Sequence, residues 1–157
     1  MLSQCDWAHS MSRTRKGVIF TEVVLELFKL GGLLISEGDQ ITKEYGLTSA
    51  RWKILGSIAL SGSPLTVPRI AKTMGLTRQA IQRLVDAMHE DGLLDFQTNP
   101  DHKRAKLINL TNRGAQIYAM LDIKQAKWSN ENADELSQKE LDITLSVLKK
   151  ITDQFDT

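Results

Sequence analysis

Four side chains in one short stretch, Arg78, Gln79, Gln82 and Arg83, are of the types that read base pairs. An arginine guanidinium donates two hydrogen bonds to guanine O6 and N7. A glutamine amide pairs in the same bidentate way with adenine N6 and N7, both in the major groove. Thr77 directly precedes them, and the positive end of a helix starting there, with the threonine hydroxyl, suits a phosphate. Further along, His102, Lys103, Arg104 and Lys106 crowd beside Pro100. Such a cationic tip can grip the DNA backbone or enter the minor groove, with Arg104 the best suited to enter. The bland alternative for either group is a solvated polar surface.

The elements needed to hold these groups can be read around them. Ile81, Leu84, Val85 and Met88 fall at i, i+3, i+4 and i+7, which is one apolar stripe of a helix over 78–91. With that stripe buried, Arg78, Gln79, Gln82, Arg83 and Asp86 face outward. The readers then occupy the first two turns, where a recognition helix meets the groove. A preceding helix over 67–74 turns Ile70, Ala71 and Met74 inward. Ala71 is small enough for a close helix crossing, and Gly75 accepts the positive φ of a tight turn. Strand-like pieces follow at 93–97 and 106–110, with Asn99-Pro100-Asp101 as turn chemistry between them. A helix-turn-helix followed by a charged hairpin is a winged helix. An ordinary helical hairpin accounts for the two helices, but not for the reading face and the basic tip together.

A repeated start signal places the other helices. Thr48, Thr66, Thr77, Thr111 and Ser137 each follow a leucine, and each hydroxyl can accept from a free N–H of a first turn. Trp52, Ile70, Ile81 and Leu141 sit where a hydrophobic staple needs them, and Ser137 with Glu140 completes a capping box. The predicted helices are 18–37, 49–61, 67–74, 78–91, 112–130 and 138–154. The fold class is therefore mainly α (α+β), with one small sheet. The 18–37 segment is too apolar for a surface helix and must be covered by its own core or by another subunit. Gly31-Gly32 weaken it or let another helix approach closely. The last helix also has a wide apolar face, formed by Leu141, Leu145, Leu148 and Ile151. A two-fold dimer would close both faces and set half-sites about 34–36 Å apart, or a multiple of that. Residues 1–17 lack periodicity and read as a flexible arm or the frayed start of a helix, with Arg13, Arg15 and Lys16 a solvated lead-in or contacts to DNA phosphates.

At 157 residues and 41% hydrophobic, the chain can bury one medium core. Its net charge of +1 is uneven: residues 64–114 hold eight Lys/Arg and five acids, and 115–157 hold five and eight. The central segment can therefore attract phosphate while the C-terminal part does not. Cys5 is the sole cysteine, which excludes an internal disulfide and fits a reducing compartment. The start of the chain has no apolar signal region, and no apolar run is long enough to span a bilayer, so a cytoplasmic protein without a membrane partner is expected. No Gly-rich phosphate loop, nucleophile motif or paired-carboxylate arrangement marks an enzyme. His9, His89 and His102 lack metal-ligand spacing, so no metal or other cofactor is expected.

The stretches GLTSARWKIL, LTVPRIAKTMGLTRQAIQRLVDAMHEDGLL and NPDHKRAKLINLTNRG resemble the MarR family of bacterial transcriptional regulators, over about residues 20 to 125. The wing matches at Arg104. It departs from the family pattern two residues earlier, where an aspartate is usual and His102 stands, with Asp101 one residue before. An aspartate that orients the arginine is therefore not carried over. The resemblance implies one MarR-like domain over 1–157. In it, 46–111 would be the DNA-binding winged-helix lobe, with 18–45 and 112–157 as dimerisation helices. It also implies a homodimer on a palindromic site, repressing transcription and responding to a small aromatic or phenolic effector bound between the dimer helices and the lobe. Thr66, Thr77, Arg78, Gln79, Gln82, Arg83, His102, Lys103, Arg104 and Lys106 are the expected contacts to double-stranded DNA. Trp52 is a core residue or part of an effector pocket, and Tyr118 and Trp128 are expected to pack in the dimer. Two alternatives stay open. One is a winged helix that binds protein, and the other is a redox-sensing regulator acting through Cys5, beside His9.

Overall fold

The structure, a computed structural model, describes residues 13–156, so Cys5 and His9 lie outside the described residues. In chain order the elements are α1 (Arg15–Thr42), a 3₁₀ turn (Lys43–Tyr45), α2 (Ser49–Ser61), α3 (Val67–Met74), α4 (Arg78–Glu90), β1 (Leu94–Gln97), β2 (Leu107–Leu110), α5 (Asn112–Ala133) and α6 (Gln138–Phe155). The chain is mainly α with one small sheet. No helix among the described residues is long and apolar enough to cross a membrane.

The start signals explain most of the boundaries. Thr48 Oγ1 accepts from Arg51 N, Thr77 Oγ1 from Ala80 N and Thr111 Oγ1 from Gly114 N, at 3.3, 3.2 and 3.0 Å. At α6 both halves of the capping box form: Ser137 N donates to Glu140 Oε2 at 2.8 Å, and Glu140 N donates to Ser137 Oγ at 3.3 Å. Thr66 is the exception, since its side chain makes no capping hydrogen bond. Pro68 stands in the first turn of α3, where its fixed φ favours helix and its missing N–H removes one of the donors a cap would satisfy. Gly75 then ends α3 at φ 63°, the left-handed conformation the tight turn requires.

Two expectations about the first helix are corrected. It begins at Arg15, so residues 15–17 are helix and not arm, and Thr14 Oγ1 accepts from Gly17 N at 3.1 Å. It also runs five residues past 37, to Thr42, straight through Gly31 and Gly32, beside which no other element among the described residues packs closely. Contacts with α2 extend it beyond its apolar run. Asp39 Oδ1 accepts from Ser49 N at 2.6 Å, and the buried Thr42 hydroxyl lies 2.8 Å from the Leu47 carbonyl oxygen. Gly38 permits this approach, because a Cβ there would stand 2.6 Å from Ser49 Oγ. At 1.5 Å per residue, α1 is roughly 42 Å long.

The hairpin is antiparallel, pairing Leu94 with Leu110 and Phe96 with Ile108. Leu65 adds a single-residue bridge to Ile108, donating from its N–H at 3.1 Å and accepting at 2.8 Å. That bridge fastens the start of α3 to the wing strand. It escapes sequence reading because one residue shows no alternation. The buried apolar core, from Leu47 through Ile54, Leu55, Ile70, Ile81, Val85, Met88 and Ile108 to Leu121, lies within residues 47–121, from just before α2 to α5. Among the described residues α6 contributes no apolar residue to it, and α1 only the half-buried Ile41, packed against its edge. Instead α1 exposes Leu25 and Phe28 at 62% and 76%, and α6 exposes Ile143, Leu145 and Val147. The apolar cover that 18–37 demands is therefore not its own core.

Candidate nucleic-acid interface

The stripe Ile81, Leu84, Val85 and Met88 faces the core, and the opposite face of α4 is open to solvent. Arg78, Gln79, Gln82 and Asp86 stand along one wall of a cleft of about 510 Å³. The hairpin supplies the facing wall through Phe96, Arg104 and Lys106, and Val67 and Pro68 of α3 close one end. The base-reading candidates and the basic tip, separate in sequence, thus share one concavity. Five of the ten expected contact residues line it: Arg78, Gln79, Gln82, Arg104 and Lys106. Arg83, Thr77, His102 and Lys103 are exposed outside its walls, and Thr66 is half-buried there.

Local contacts fix part of this geometry. Lys106 Nζ lies 5.0 Å from the centroid of the Phe96 ring. His89 packs against the same ring at 4.5 Å between centroids, and its Nδ1 is 2.8 Å from the Leu94 carbonyl oxygen. Phe96 therefore links the end of α4 to the wing strand. At the tip, Asn99 is buried and its Oδ1 accepts from Asp101 N at 3.0 Å, an Asx turn that turns the hairpin. Among the described residues Arg104 forms no ion pair.

A second, wider groove of about 1170 Å³ runs between α1, α2, α3 and α5. Trp52 lines it with Leu34, Ile41, Met74, Tyr118 and Trp128. Trp128 Nε1 donates to Glu37 Oε2 at 3.3 Å, joining α5 to α1 across it. Burial, and secondarily the charge of Asp122, raise the Tyr118 hydroxyl above its ordinary pKa of 10.0, so it is a neutral donor at physiological pH. Tyr118 and Trp128 were expected to pack in a dimer, and here they face this groove. The missed signal is a stripe on α5, with Tyr118, Asp122, Gln125 and Trp128 three or four residues apart. Asp86 and Phe96 were missed as cleft residues because nothing local ties a strand aromatic to a helix carboxylate.

The comparisons agree with this geometry. The sequence profile of the MarR family matches residues 45–105, the stretch that builds α2 to α4, β1 and most of the wing. An uncharacterised protein of Mycobacterium tuberculosis is 32% identical over 129 residues, covering 82% of this chain and 89% of its own length. The transcriptional activatory protein BadR of Rhodopseudomonas palustris is 24% identical over 130 residues, covering 81% of this chain and 74% of its own. Among solved structures, a MarR/EmrR family regulator from Acinetobacter superposes with a TM-score of 0.79 at 23% identity, covering 88% of this chain and 97% of that one. A mutant MarR from E. coli complexed with operator DNA gives 0.66 at 25% identity, covering 82% and 94%. CouR from Rhodococcus jostii bound to p-coumaroyl-CoA gives 0.74 at 21% identity, covering 82% and 90%. With a winged helix whose outward polar helix face and basic tip close on one cleft, and with relatives along most of its length, the chain belongs to the MarR family of transcriptional regulators, which are DNA-binding proteins and not enzymes.

Proposed function

We propose that the protein is a cytoplasmic, ligand-responsive repressor that binds a palindromic operator as a homodimer. The observation that carries this reading is the shared cleft: Arg78, Gln79 and Gln82 open onto the space that Arg104 and Lys106 face from the wing. In a duplex complex, α4 enters the major groove while the wing tip, with His102 and Lys103, follows the backbone and the adjacent minor groove. Thr77 and Arg83 lie beside the entry of α4 and hold phosphate or flanking base edges, and the Thr66 hydroxyl, free of a capping role, donates to phosphate. The E. coli relative crystallised with operator DNA supports this arrangement.

The lobe over 46–111 reads DNA, and the segments 18–45 and 112–157 hold two copies together. The exposed apolar faces of α1 and α6, which no element among the described residues covers, support that division. The aromatic groove at Trp52 takes the effector, an aromatic or phenolic molecule, and the relative bound to p-coumaroyl-CoA supports that chemistry. The groove lies between α1 and α5 on one side and α2 and α3 on the other, so an occupant there bears on how the lobe sits against the dimer helices.

Titration of a random duplex pool at several salt concentrations, followed by sequencing of the bound fraction, tests the reading. The expected result is a steep salt dependence and an enriched inverted repeat with half-sites about 34–36 Å apart, or a multiple. A folded protein that binds no duplex at low salt would overturn it.

A further inference from the structure

The cleft holds one acidic side chain among its described walls, Asp86, set in the face that meets a polyanion. It is not idle there. Gln82 Nε2 donates to Asp86 Oδ1 at 2.8 Å, one turn along α4. An unrestrained glutamine amide rotates freely and loses that freedom when it meets a base. With one N–H held by Asp86, the amide plane of Gln82 is set before DNA arrives. Its second N–H and its Oε1 are left as an adjacent donor and acceptor, the pair that matches adenine N7 and N6.

The carboxylate has its own selectivity. An ionised aspartate only accepts hydrogen bonds, so in the major groove it gains most from the cytosine N4 amino group, less from adenine N6 because the adjacent N7 repels it, and is repelled by guanine O6 and N7, by thymine O4 and by phosphate. Asp86 stands four residues beyond Gln82, roughly 6 Å along the axis, which reaches a neighbouring base pair. A carboxylate here also weakens sequence-independent attachment, which rests on phosphate. We propose that Gln82 and Asp86 act as one reading unit in which Asp86 determines specificity, fixing the Gln82 amide for adenine and itself selecting cytosine at a neighbouring pair. This rests on α4 being the helix that reads DNA.

Selection from a random duplex pool with the full chain, using the wild type, Asp86→Asn, Asp86→Ala and Gln82→Ala, tests it. Asp86→Asn can still accept from Gln82 but loses its charge. It should keep the adenine preference, lose the cytosine preference by roughly 10- to 100-fold, and bind scrambled duplex more tightly than the wild type. Asp86→Ala should relax both positions, and Gln82→Ala only its own. Gln82 and Asp86 are exposed, so all four proteins should melt together, and the readout is base preference, not folding. The same preferred sequence in the wild type and Asp86→Ala overturns the reading unit, as does an unchanged affinity of Asp86→Asn for scrambled duplex. Failure of the wild type to bind any duplex would instead overturn the underlying role of α4.

Discussion

Arg51 Nη1 lies 2.7 Å from Asp91 Oδ2, a link from the first turn of α2 to the residue that caps the end of α4. Arg113 Nη1 donates to the Asp91 carbonyl oxygen at 3.1 Å from the start of α5. The C-terminal end of α4 is thus clasped by two guanidinium groups, which also answer the negative end of its helix dipole. The Arg51 side chain is 24% exposed and that of Asp91 51%, so the pair is only partly screened. Arg51→Ala is expected to lower unfolding stability by about 1 kcal/mol, the upper end for a surface pair. Urea unfolding at low and high salt checks this, and the difference from wild type should shrink at high salt. An equal midpoint at low salt would show that Arg51 contributes nothing.

Arg104 carries no ion pair among the described residues and lines the cleft, so its charge is available to DNA. Arg104→Ala is expected to weaken binding to specific and scrambled duplex by similar factors. It should also reduce the slope of log K against log salt by about 1. Affinity measured at four or more salt concentrations decides it. An unchanged slope would remove Arg104 from the phosphate contacts.

What could be read from the sequence followed from local physical signals. The bounds of α2 and α3 matched their predicted spans because a terminal glycine ends each, and the Thr48 cap starts α2 while Pro68 in the first turn starts α3. The stripe at Ile81 to Met88 fixed which side chains of α4 face outward, and hence four of the five residues of α4 that meet the cleft or flank it, Asp86 being seen as outward but given no role. The misreadings came where long-range contacts override local pattern. Polar residues Glu37 to Gln40 look like a helix end, yet Asp39 and Thr42 bond to the α2 region and carry α1 onward. Leu65 pairs with Ile108 across 43 positions, which no periodicity reveals. Trp52 of α2 meets Tyr118 and Trp128 of α5 on one groove, and that convergence depends on helix packing that single-helix patterns do not encode.

Glu140 carries a pH dependence. The Ser137 hydroxyl, and then the Ser137 backbone N–H, hold its carboxyl below the ordinary value of 4.5. A depressed folded-state pKa means that the stabilisation is fully present above the unfolded value and is lost as pH falls through the folded one. Glu140→Gln keeps an acceptor but not the charge. The wild type should therefore melt at a higher temperature than the variant at neutral pH, and the gap should close on acidification below 4.5. Thermal melts from pH 7 to pH 3 check the sign. A gap that is constant with pH would mean that the ionised form of Glu140 is not what the cap favours.

Trp52 and Trp128 face one another's groove from α2 and α5, and the hydrogen bond from Trp128 to Glu37 ties that groove to α1. An aromatic occupant would stack on indole surface and couple α1 and α5 to the lobe, so its effect should appear at the DNA, not only at the groove. In the wild type, an effective aromatic or phenolic ligand should weaken operator affinity by about 5- to 150-fold, the range of ordinary coupling energies. Trp52→Ala, which removes an indole wall, should bind operator without ligand as the wild type does and lose most of that response. Trp52→Phe should retain part of it, because a smaller ring still offers a stacking face. Operator affinity measured with and without ligand for the three proteins separates the roles. A Trp52→Ala protein that fails to bind operator even without ligand would place Trp52 in the packing of the lobe, and one that responds as the wild type does would place the effector elsewhere.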